Sequence, residues 1–350
     1  MSTFYKLTIQ EIKKETSQAV SILFNVPNEF KDFYKFEAGQ YVNLKLTLDG
    51  QEIRRAYSIC SSPNSGELRI AVKAIKNGLF SKFANNELKV GSVIEVGTPE
   101  GKFTFEPHTD KQKNYLAFVA GSGITPVMSI LQAVLSQEPK SSFVLVFGNK
   151  SAQETIFYNK LIELQQKYLG RFFVHFVYSQ SKSDESLFGR IDKSVVNYVM
   201  ENKHVGTVFS KFYLCGPEEM INSVSEVLKE KNIAEKDIKF ELFSATTKEN
   251  AIDTSKNDHT QITVLVDGDE ATFEMSSKQT LLEAALKQGI DAPYSCQGGI
   301  CSSCLARVTK GTAEMKKNAI LTDSEIAEGL ILTCQAHPTS SEIYIDYDDV

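Results

Sequence analysis

Pro293-Tyr-Ser-Cys-Gln-Gly-Gly-Ile-Cys-Ser-Ser-Cys304 places Cys296, Cys301 and Cys304 in a C-x4-C-x2-C run, and Cys334 follows thirty residues later. That is the ligand spacing of a [2Fe–2S] site. Four thiolates are needed because each iron takes two sulfurs from the protein, and soft thiolate suits iron–sulfur chemistry. Gly298 and Gly299 are expected to let the backbone fold tightly around an inorganic core by reaching φ > 0 without a Cβ clash. Other readings of these cysteines fit less well. A zinc ribbon wants two C-x2-C knuckles, and only Cys301 and Cys304 form one. A Rieske centre needs two histidines; Cys334-Gln-Ala-His337 offers one and the first segment none. Disulfide frameworks belong to small secreted chains.

Working outward, 350 residues suggest two or three domains, and 42% hydrophobic content is ordinary for a globular protein. The start, Met1-Ser-Thr-Phe-Tyr-Lys-Leu-Thr-Ile-Gln, alternates like a strand and lacks an apolar h-region, so no signal peptide is expected. No apolar run approaches the length of a membrane span. Cys60 and Cys215 lie outside the cluster set and far apart, which points to a reducing cytoplasm. The net charge of −6 is uneven: residues from Gln261 onward hold 14 acids and 6 Lys/Arg, a net of −8, leaving +2 for residues 1–260. No domain has the basic excess of a nucleic-acid binder. The acidic C-terminal region suits docking on a basic protein surface, although a solvated face would look the same.

Residues 1–108 read as the strands of an antiparallel β-barrel or of a sandwich. Tyr5–Lys14, Ala19–Val26, Tyr41–Leu48 and Glu67–Lys76 are strand-like runs separated by Pro27, Gly39, Asp49-Gly50 and Asn64-Ser-Gly66. Arg54-Arg-Ala-Tyr-Ser-Ile-Cys-Ser-Ser62 interrupts the pattern after the third strand, and Gly78 precedes a short helix beginning Leu79-Phe-Ser81. Arg55 is suited to gripping a phosphate, Tyr57 offers a flat face with a polar tip, and Ser58 is a small donor and acceptor. The helix start after Gly78 suits a pyrophosphate. Each of these signals is generic taken alone.

Residues 109–245 alternate strand and helix, which predicts a doubly wound parallel α/β domain. The strands are Tyr115–Ala120, Phe143–Phe147, Phe172–Tyr178, Phe212–Cys215 and Ile238–Leu242, with helical patterns at Val127–Leu135, Thr155–Lys167 and Glu218–Lys231. The first strand runs into Gly121-Ser-Gly-Ile-Thr-Pro126, with Thr125 read as N-cap and Pro126 as first helical residue. Two glycines before a helix start form a pyrophosphate cradle, while a tight turn made only for packing remains open. Cys215 sits at a strand end, where it either faces a ligand or is simply buried. Residues 246–260 read as a polar linker, and 261–350 as a β-grasp domain. In that domain Asp267-Gly268 marks a hairpin, Thr280–Glu283 and Thr322–Glu325 are capping boxes, Gly289 closes the first helix, and Leu305–Thr309 and Glu342–Asp346 are strands.

Arg55-Ala-Tyr-Ser58, Gly78-Leu-Phe-Ser81, Gly97-Thr-Pro-Glu-Gly-Lys-Phe103, Gly121-Ser-Gly-Ile-Thr-Pro126, Cys215-Gly-Pro217 and the cysteine run occur in one order. The whole chain thereby resembles the ferredoxin–NADP reductase superfamily with a fused C-terminal plant-type ferredoxin. Tyr57-Ser-Ile-Cys-Ser-Ser-Pro63, Phe147-Gly-Asn-Lys150, Ser179-Gln180 and Gly189-Arg-Ile-Asp192 look like a reductase subunit serving a di-iron oxygenase that activates O2 on an acyl-CoA ring. A reductase for a Rieske-type steroid or aromatic hydroxylase is the alternative; an iron–sulfur carrier or sensor without enzymatic activity is a more distant one. The resemblance implies FAD, NADPH or NADH, and one [2Fe–2S] cluster.

It also implies roles. Arg55 would contact flavin phosphate, Tyr57 would stack on the isoalloxazine and Ser58 would lie near its N5, making Ser58, Tyr57 and Cys215 the catalytic set. Gly78, Leu79, Phe80 and Ser81 would cradle the FAD pyrophosphate. Gly121, Gly123 and Thr125 would hold the dinucleotide, with Lys150, Ser179, Gln180 and Arg190 at its far end. Cys215 and Gly216 would sit near the nicotinamide, and Phe243 would close the flavin edge. Lys150 stands where relatives carry Arg, and Ser179 is not followed by Arg, which bears on 2′-phosphate recognition. A nicotinamide gives two electrons as hydride and a [2Fe–2S] centre takes one, so flavin belongs between them. The five scattered histidines include a single Glu-x-x-His, Glu201–His204, where a di-iron site needs two, so no oxygenase site is expected in this chain.

Overall fold

The computed structural model describes residues 3–48, 50–76, 78–182, 185–243, 259–318 and 320–350. The chain divides into two units: Phe4–Ile53 with Tyr57–Phe243, and Ser244–Val350 with Met1–Thr3 and Arg54–Ala56. The stretch read as a linker lies outside the described residues up to position 258; its last residues are already strand, since β13 begins at His259.

Alternating apolar positions in the first hundred residues produce six antiparallel strands: β1 (Phe4–Thr16), β2 (Ala19–Asn25), β3 (Tyr41–Leu48), β4 (Gln51–Ser58), β5 (Leu68–Lys73) and β6 (Val93–Gly97). They follow the order β4-β3-β6-β1-β2-β5, and an Ile59–Ile70 bridge joins the two edges into a barrel. Leu7, Ile22, Leu44, Ile70 and Val96 fill its interior. Strands β4 and β6 are the barrel strands absent from the sequence reading; in β4, Arg54 and Arg55 disguise the pattern as a loop, although Ile53 and Ser58 are buried within it. Helix α1 (Leu79–Asn86) follows Gly78 as expected.

The second half of this unit is a parallel sheet in the order β10-β9-β8-β7-β11-β12. Its strands are β7 (Asn114–Ala120), β8 (Ser142–Asn149), β9 (Phe172–Tyr178), β10 (Leu187–Phe188), β11 (Lys211–Gly216) and β12 (Ile238–Leu242). Helices α2 (Ile124–Gln137), α3 (Tyr158–Lys167), α4 (Lys193–Tyr198) and α5 (Glu218–Glu230) connect them. The order reverses between β7 and β11, and ligand crevices open at such switch points, beyond the strands' carboxyl ends. Helix α2 starts earlier than its sequence suggested. A 3-10 turn, Gly121–Gly123, runs directly into Ile124, so Thr125 is not the N-cap: its hydroxyl lies inside the first turn and donates back to Ser122 O at 3.1 Å. Helix α3 starts later, at Tyr158, because Phe157 takes φ +63° and breaks the run from Thr155.

Two hydrogen bonds seat α2 on the chain leaving the barrel. Ser129 Oγ donates to Ser61 O at 2.6 Å, and Gln132 Nε2 to Cys60 O at 3.1 Å. These hold the residues after β4 at a fixed height over the parallel sheet.

The other unit is a five-stranded mixed sheet, β14-β13-β19-β15-β17, with β16 and β18 paired beside it. The strands are β13 (His259–Val266), β14 (Asp269–Ser276), β15 (Leu305–Lys310), β16 (Ala313–Met315), β17 (Leu330–Leu332), β18 (Ala336–Pro338) and β19 (Glu342–Asp346). Asp267 and Gly268 both take positive φ in the β13–β14 turn, as a tight hairpin of this type requires. Helices α6 (Leu281–Lys287) and α7 (Asp323–Ala327) each begin in a complete capping box, from Thr280 and Thr322. Leu281, Leu282 and Ala285 bury one face of α6 against Ile262, Ile343 and Ile345. The sheet crossed by one helix is a β-grasp arrangement.

At Gly123 a Cβ would overlap the carbonyl oxygen of Cys215, so the turn after β7 touches β11 backbone to backbone. Gly123→Ala is expected to destabilise this unit by about 1–3 kcal/mol, the usual range for overpacking. Urea denaturation followed by near-UV circular dichroism checks it; an unchanged midpoint would mean the turn has slack.

Candidate functional site

Parallel register brings the reactive groups of the first unit together. Cys215 on β11 pairs with Glu241 on β12, and Ser58 at the end of β4 donates its hydroxyl to Glu241 Oε2 at 3.3 Å. Ser58 and Cys215, expected in the catalytic set, thus meet at a carboxyl group to which the sequence pattern assigns no role. Burial pushes Glu241 up to about 8, with the Ser58 hydroxyl pulling the other way. Burial also pushes the Cys215 thiol far up, and nearby Glu241 adds to the effect, so Cys215 is a neutral thiol at neutral pH. A serine hydroxyl against a carboxyl that titrates near neutrality is an arrangement able to hold or pass one proton.

The rest of the expected flavin site fits a large planar group with a phosphate tail. Tyr57 is half-buried and leans on Phe80 at 5.3 Å between ring centroids. Arg55 is exposed on the same strand, with Nη1 donating to Arg54 O. Helix α1 has no side-chain cap at Gly78, which leaves its first turn of N–H groups to an anion. Of the four residues assigned to that cradle, Phe80 turns its side chain into the barrel core. The Ser81 hydroxyl accepts from Ile75 N and donates to Gly78 O. Their contribution to a phosphate is therefore main-chain. Phe243 packs, half-buried, against the core that contains Cys215.

The residues expected to hold the dinucleotide lie at the carboxyl ends of β7, β8, β9 and β11. Gly121 takes φ +56° beside Gly123 and buried Thr125, presenting bare backbone at the start of α2. Gly216 follows Cys215. Farther along, Ser179 N and Gln180 N donate to Asn149 O and Lys150 O. Lys150 is exposed, with Glu154 at 3.8 Å. Ile191 lies against Gly148, which brings exposed Arg190 to the same edge. Asn149 Nδ2 is buried there without a partner among the described residues. An orphaned donor in a strand-end crevice calls for an acceptor, and the ribose oxygens of a dinucleotide would supply one.

In the β-grasp unit the four cysteines sit as their spacing requires. Cys296, Cys301 and Cys304 lie in the loop after α6, and Cys334 follows β17. Cys301, Cys304 and Cys334 are buried. No three His, Cys, Asp or Glu side chains converge on a point among the described residues as they would for a single ion. The thiols instead form two pairs, Cys296 with Cys301 at 3.1 Å between sulfurs and Cys304 with Cys334. Two pairs suit two irons, each taking two thiolates. The Cys301 thiol pulls Cys296 down to about 6, burial opposes this, and the amides of Gly298, Ile300 and Cys301 assist. Cys334 is lowered in the same way, first by the Cys304 thiol. Backbone N–H groups aimed at sulfur are what bound thiolates need.

One expectation about this loop is corrected. Gly299 takes φ +72°, but Gly298 does not reach positive φ; Gln297 does, at +50°. Gly298 serves through its amide, which donates to Cys296 Sγ at 3.3 Å. His337 is buried on β18 with Nδ1 against Ser277 O, in hydrogen bonding to the backbone rather than in a Rieske-type ligand set.

Comparison with known proteins agrees with this division. The profile described as "Oxidoreductase FAD-binding domain" matches residues 6–105, "Oxidoreductase NAD-binding domain" matches 118–226, and "2Fe-2S iron-sulfur cluster binding domain" matches 264–339. The chain belongs to the FAD- and NAD(P)-binding oxidoreductases of the ferredoxin–NADP reductase type that carry a C-terminal [2Fe–2S] domain and act as reductase components. It is 36% identical over 351 residues to a 1,2-phenylacetyl-CoA epoxidase subunit from Escherichia coli (strain K12), covering 99% of each chain. It is 30% identical to the ferredoxin reductase component of 3-ketosteroid-9-alpha-monooxygenase from Rhodococcus rhodochrous, over 97% of this chain and 96% of that one. The fold matches that of phthalate dioxygenase reductase with a TM-score of 0.63, at 22% identity and 98% coverage of both chains. No helix among the described residues is long and apolar enough to cross a membrane.

Two outcomes are expected. Cys301→Ser should lose the iron–sulfur EPR signal yet keep NAD(P)H-driven reduction of small dyes; loss of dye reduction in a folded, flavin-loaded variant would reverse the electron order. Glu241 is raised above its unfolded value, so its contribution to stability is fully present below about pH 4.5 and is lost as pH rises through about 8. Glu241→Gln should flatten the pH dependence of Tm across that window, measured by calorimetry.

Proposed function

We propose that the chain is the NADPH-oxidising reductase component of a di-iron oxygenase acting on phenylacetyl-CoA in phenylacetate catabolism, working in the cytoplasm. The observation that carries this reading is the end-to-end likeness to the phenylacetyl-CoA epoxidase component, at 36% identity and without a missing domain. All six cysteines are free thiols, in keeping with a reducing compartment. When bound, FAD accepts the two electrons of NADPH together and releases them singly to the cluster.

The chain's own residues divide that work. Gly121, Gly123, Thr125, Cys215 and Gly216 hold the dinucleotide against the end of β7. Arg55 and the first turn of α1 would take the flavin phosphates, and Tyr57 would cover the ring. Ser58 and Glu241 hold a proton between them, and buried Cys215 would help to keep water from the flavin edge. Cys296, Cys301, Cys304 and Cys334 bind the cluster. Lys150 and Arg190, both exposed at the crevice edge, favour NADPH by attracting a 2′-phosphate, Lys150 as a point charge rather than a bidentate fork.

A second reading, the same reductase serving a Rieske-type steroid hydroxylase, is favoured by the 30% identity to the 3-ketosteroid-9-alpha-monooxygenase component. Steady-state turnover separates the two. The expected result is NADPH consumption coupled to epoxide formation with a purified phenylacetyl-CoA epoxidase oxygenase and uncoupled with a steroid oxygenase; the reverse pattern sinks the proposal. Lys150→Glu with Arg190→Glu should raise KM for NADPH at least tenfold, a loss of about 1.4 kcal/mol, with KM for NADH almost unchanged. Equal effects on both nucleotides would remove the 2′-phosphate assignment.

A further inference from the structure

Behind the buried cysteine pair of the β-grasp unit lies a chain of hydroxyl groups that the electron path does not use. Tyr347, just past β19, is buried and its backbone N–H is fixed to Leu265 O on β13 at 3.0 Å. Its phenol lies 2.9 Å from Thr333 Oγ1. Thr333, between Leu332 and Cys334, is fully buried, and its Oγ1 lies 2.9 Å from the carbonyl oxygen of Cys304. Thr333 N donates to the same oxygen at 3.1 Å. Leu282 N, in the first turn of α6, donates to Thr333 O at 3.1 Å. Thr333 is thus locked on three sides, between the two ligands of one iron.

The direction of this chain follows from valence. A carbonyl oxygen only accepts, so the single hydroxyl proton of Thr333 is committed to Cys304 O. Thr333 Oγ1 therefore has only lone pairs left for Tyr347, and the phenol must be the donor. The Tyr347 hydrogen points at Thr333 Oγ1 and the Thr333 hydrogen at the carbonyl oxygen of Cys304, so the chain ends on the backbone of a cysteine of the cluster set. Each donor also polarises the next, so the Tyr347 bond strengthens the one from Thr333. The phenol lies within electrostatic reach of both thiols, and together with burial they hold it in its protonated, donating form.

We propose that Tyr347, acting through Thr333, is a positioning residue that raises the reduction potential of the [2Fe–2S] cluster. An electron entering the cluster adds one negative charge in a poorly solvated site. Hydroxyl groups already fixed in a chain that ends on the carbonyl of Cys304 would stabilise the reduced form more than the oxidised one without reorganising. The step is a one-electron reduction by the flavin, with no bond made or broken on Tyr347 or Thr333. The inference rests on cluster binding and is independent of which oxygenase takes the electron.

The test is an EPR-monitored redox titration of the purified holoprotein carrying FAD and cluster. Tyr347→Phe removes one hydroxyl and keeps the ring. It is expected to shift the midpoint negative by about threefold in the reduction equilibrium, or roughly 28 mV from the one-electron value of 59 mV per tenfold. Thr333→Val should shift it at least as far, Thr333→Ser should restore it, and Tyr347→Phe added to Thr333→Val should add less than Tyr347→Phe shifts alone, because part of the phenol's effect passes through Thr333. An unchanged or more positive midpoint in Tyr347→Phe, with the EPR signal at full intensity, overturns the proposal, as do additive shifts in the double variant. If Thr333→Val fails to retain the cluster, Tyr347→Phe and Thr333→Ser decide the matter between them. Absence of the EPR signal from the unmodified protein would instead count against cluster binding itself.

Discussion

The contact of Gly123 with the Cys215 carbonyl is the constraint on which the first unit depends. Two parallel strands, β7 and β11, diverge in connection just where their backbones touch. Any side chain at position 123 would separate them, and the crevice would lose its floor. Because the contact is held, the register of β11 with β12 places Glu241 opposite Cys215. Because α2 starts there, Ser129 and Gln132 reach the chain leaving the barrel and hold Ser58 over Glu241. One missing Cβ thus aligns a loop, a helix and a carboxyl group that arrive from three parts of the sequence.

What could be read from the sequence depended on whether a function used neighbouring or distant residues. The cysteine ligands were legible because three of them must reach one small inorganic core from one loop, which forces their spacing. The parallel sheet was legible because strands buried on both faces read as short apolar runs between amphipathic helices. Glu241 was not, since its meaning comes from lying across a strand pair from Cys215 and under Ser58, and a carboxylate in a strand has no local pattern that marks it. Residues Thr333 and Tyr347 were hidden for the same reason.

Local rules also failed where tertiary contact overrode them. Thr125 before Pro126 has the form of an N-cap, but the 3-10 turn at Gly121–Gly123 pulls the helix start upstream and leaves the threonine within the first turn. Gly298 and Gly299 invited the same explanation, yet Gln297 and Gly299 make the turn while Gly298 contributes an amide to sulfur. Strand β4 was obscured by paired arginines, Arg54 buried and Arg55 exposed, since propensity describes an average strand. These departures cluster at the sites, where local preference is subordinate to chemistry.

The two sites solve opposite electrostatic problems with the same material. At Ser58 and Glu241, burial without a cation raises the carboxyl to about 8, so the group is mostly protonated at neutral pH and is able to keep a proton next to the crevice. At the cysteines, one thiol of each pair is lowered by its partner and by nearby donors, and half-buried Cys296 falls to about 6. Burial alone would have raised every one of these groups. The difference lies in the donors: only the Ser58 hydroxyl offsets burial at Glu241, while the Cys301 thiol and then the amides of Gly298, Ile300 and Cys301 lower Cys296, and Cys301 and Cys304, the donors of the two thiol pairs, stay raised. A site that passes protons has to leave its acid poorly compensated, whereas a site that stores an electron has to compensate charge before it arrives. The β-grasp loop does this with backbone, which mutation cannot easily remove, and leaves adjustment to the few side-chain hydroxyls behind it.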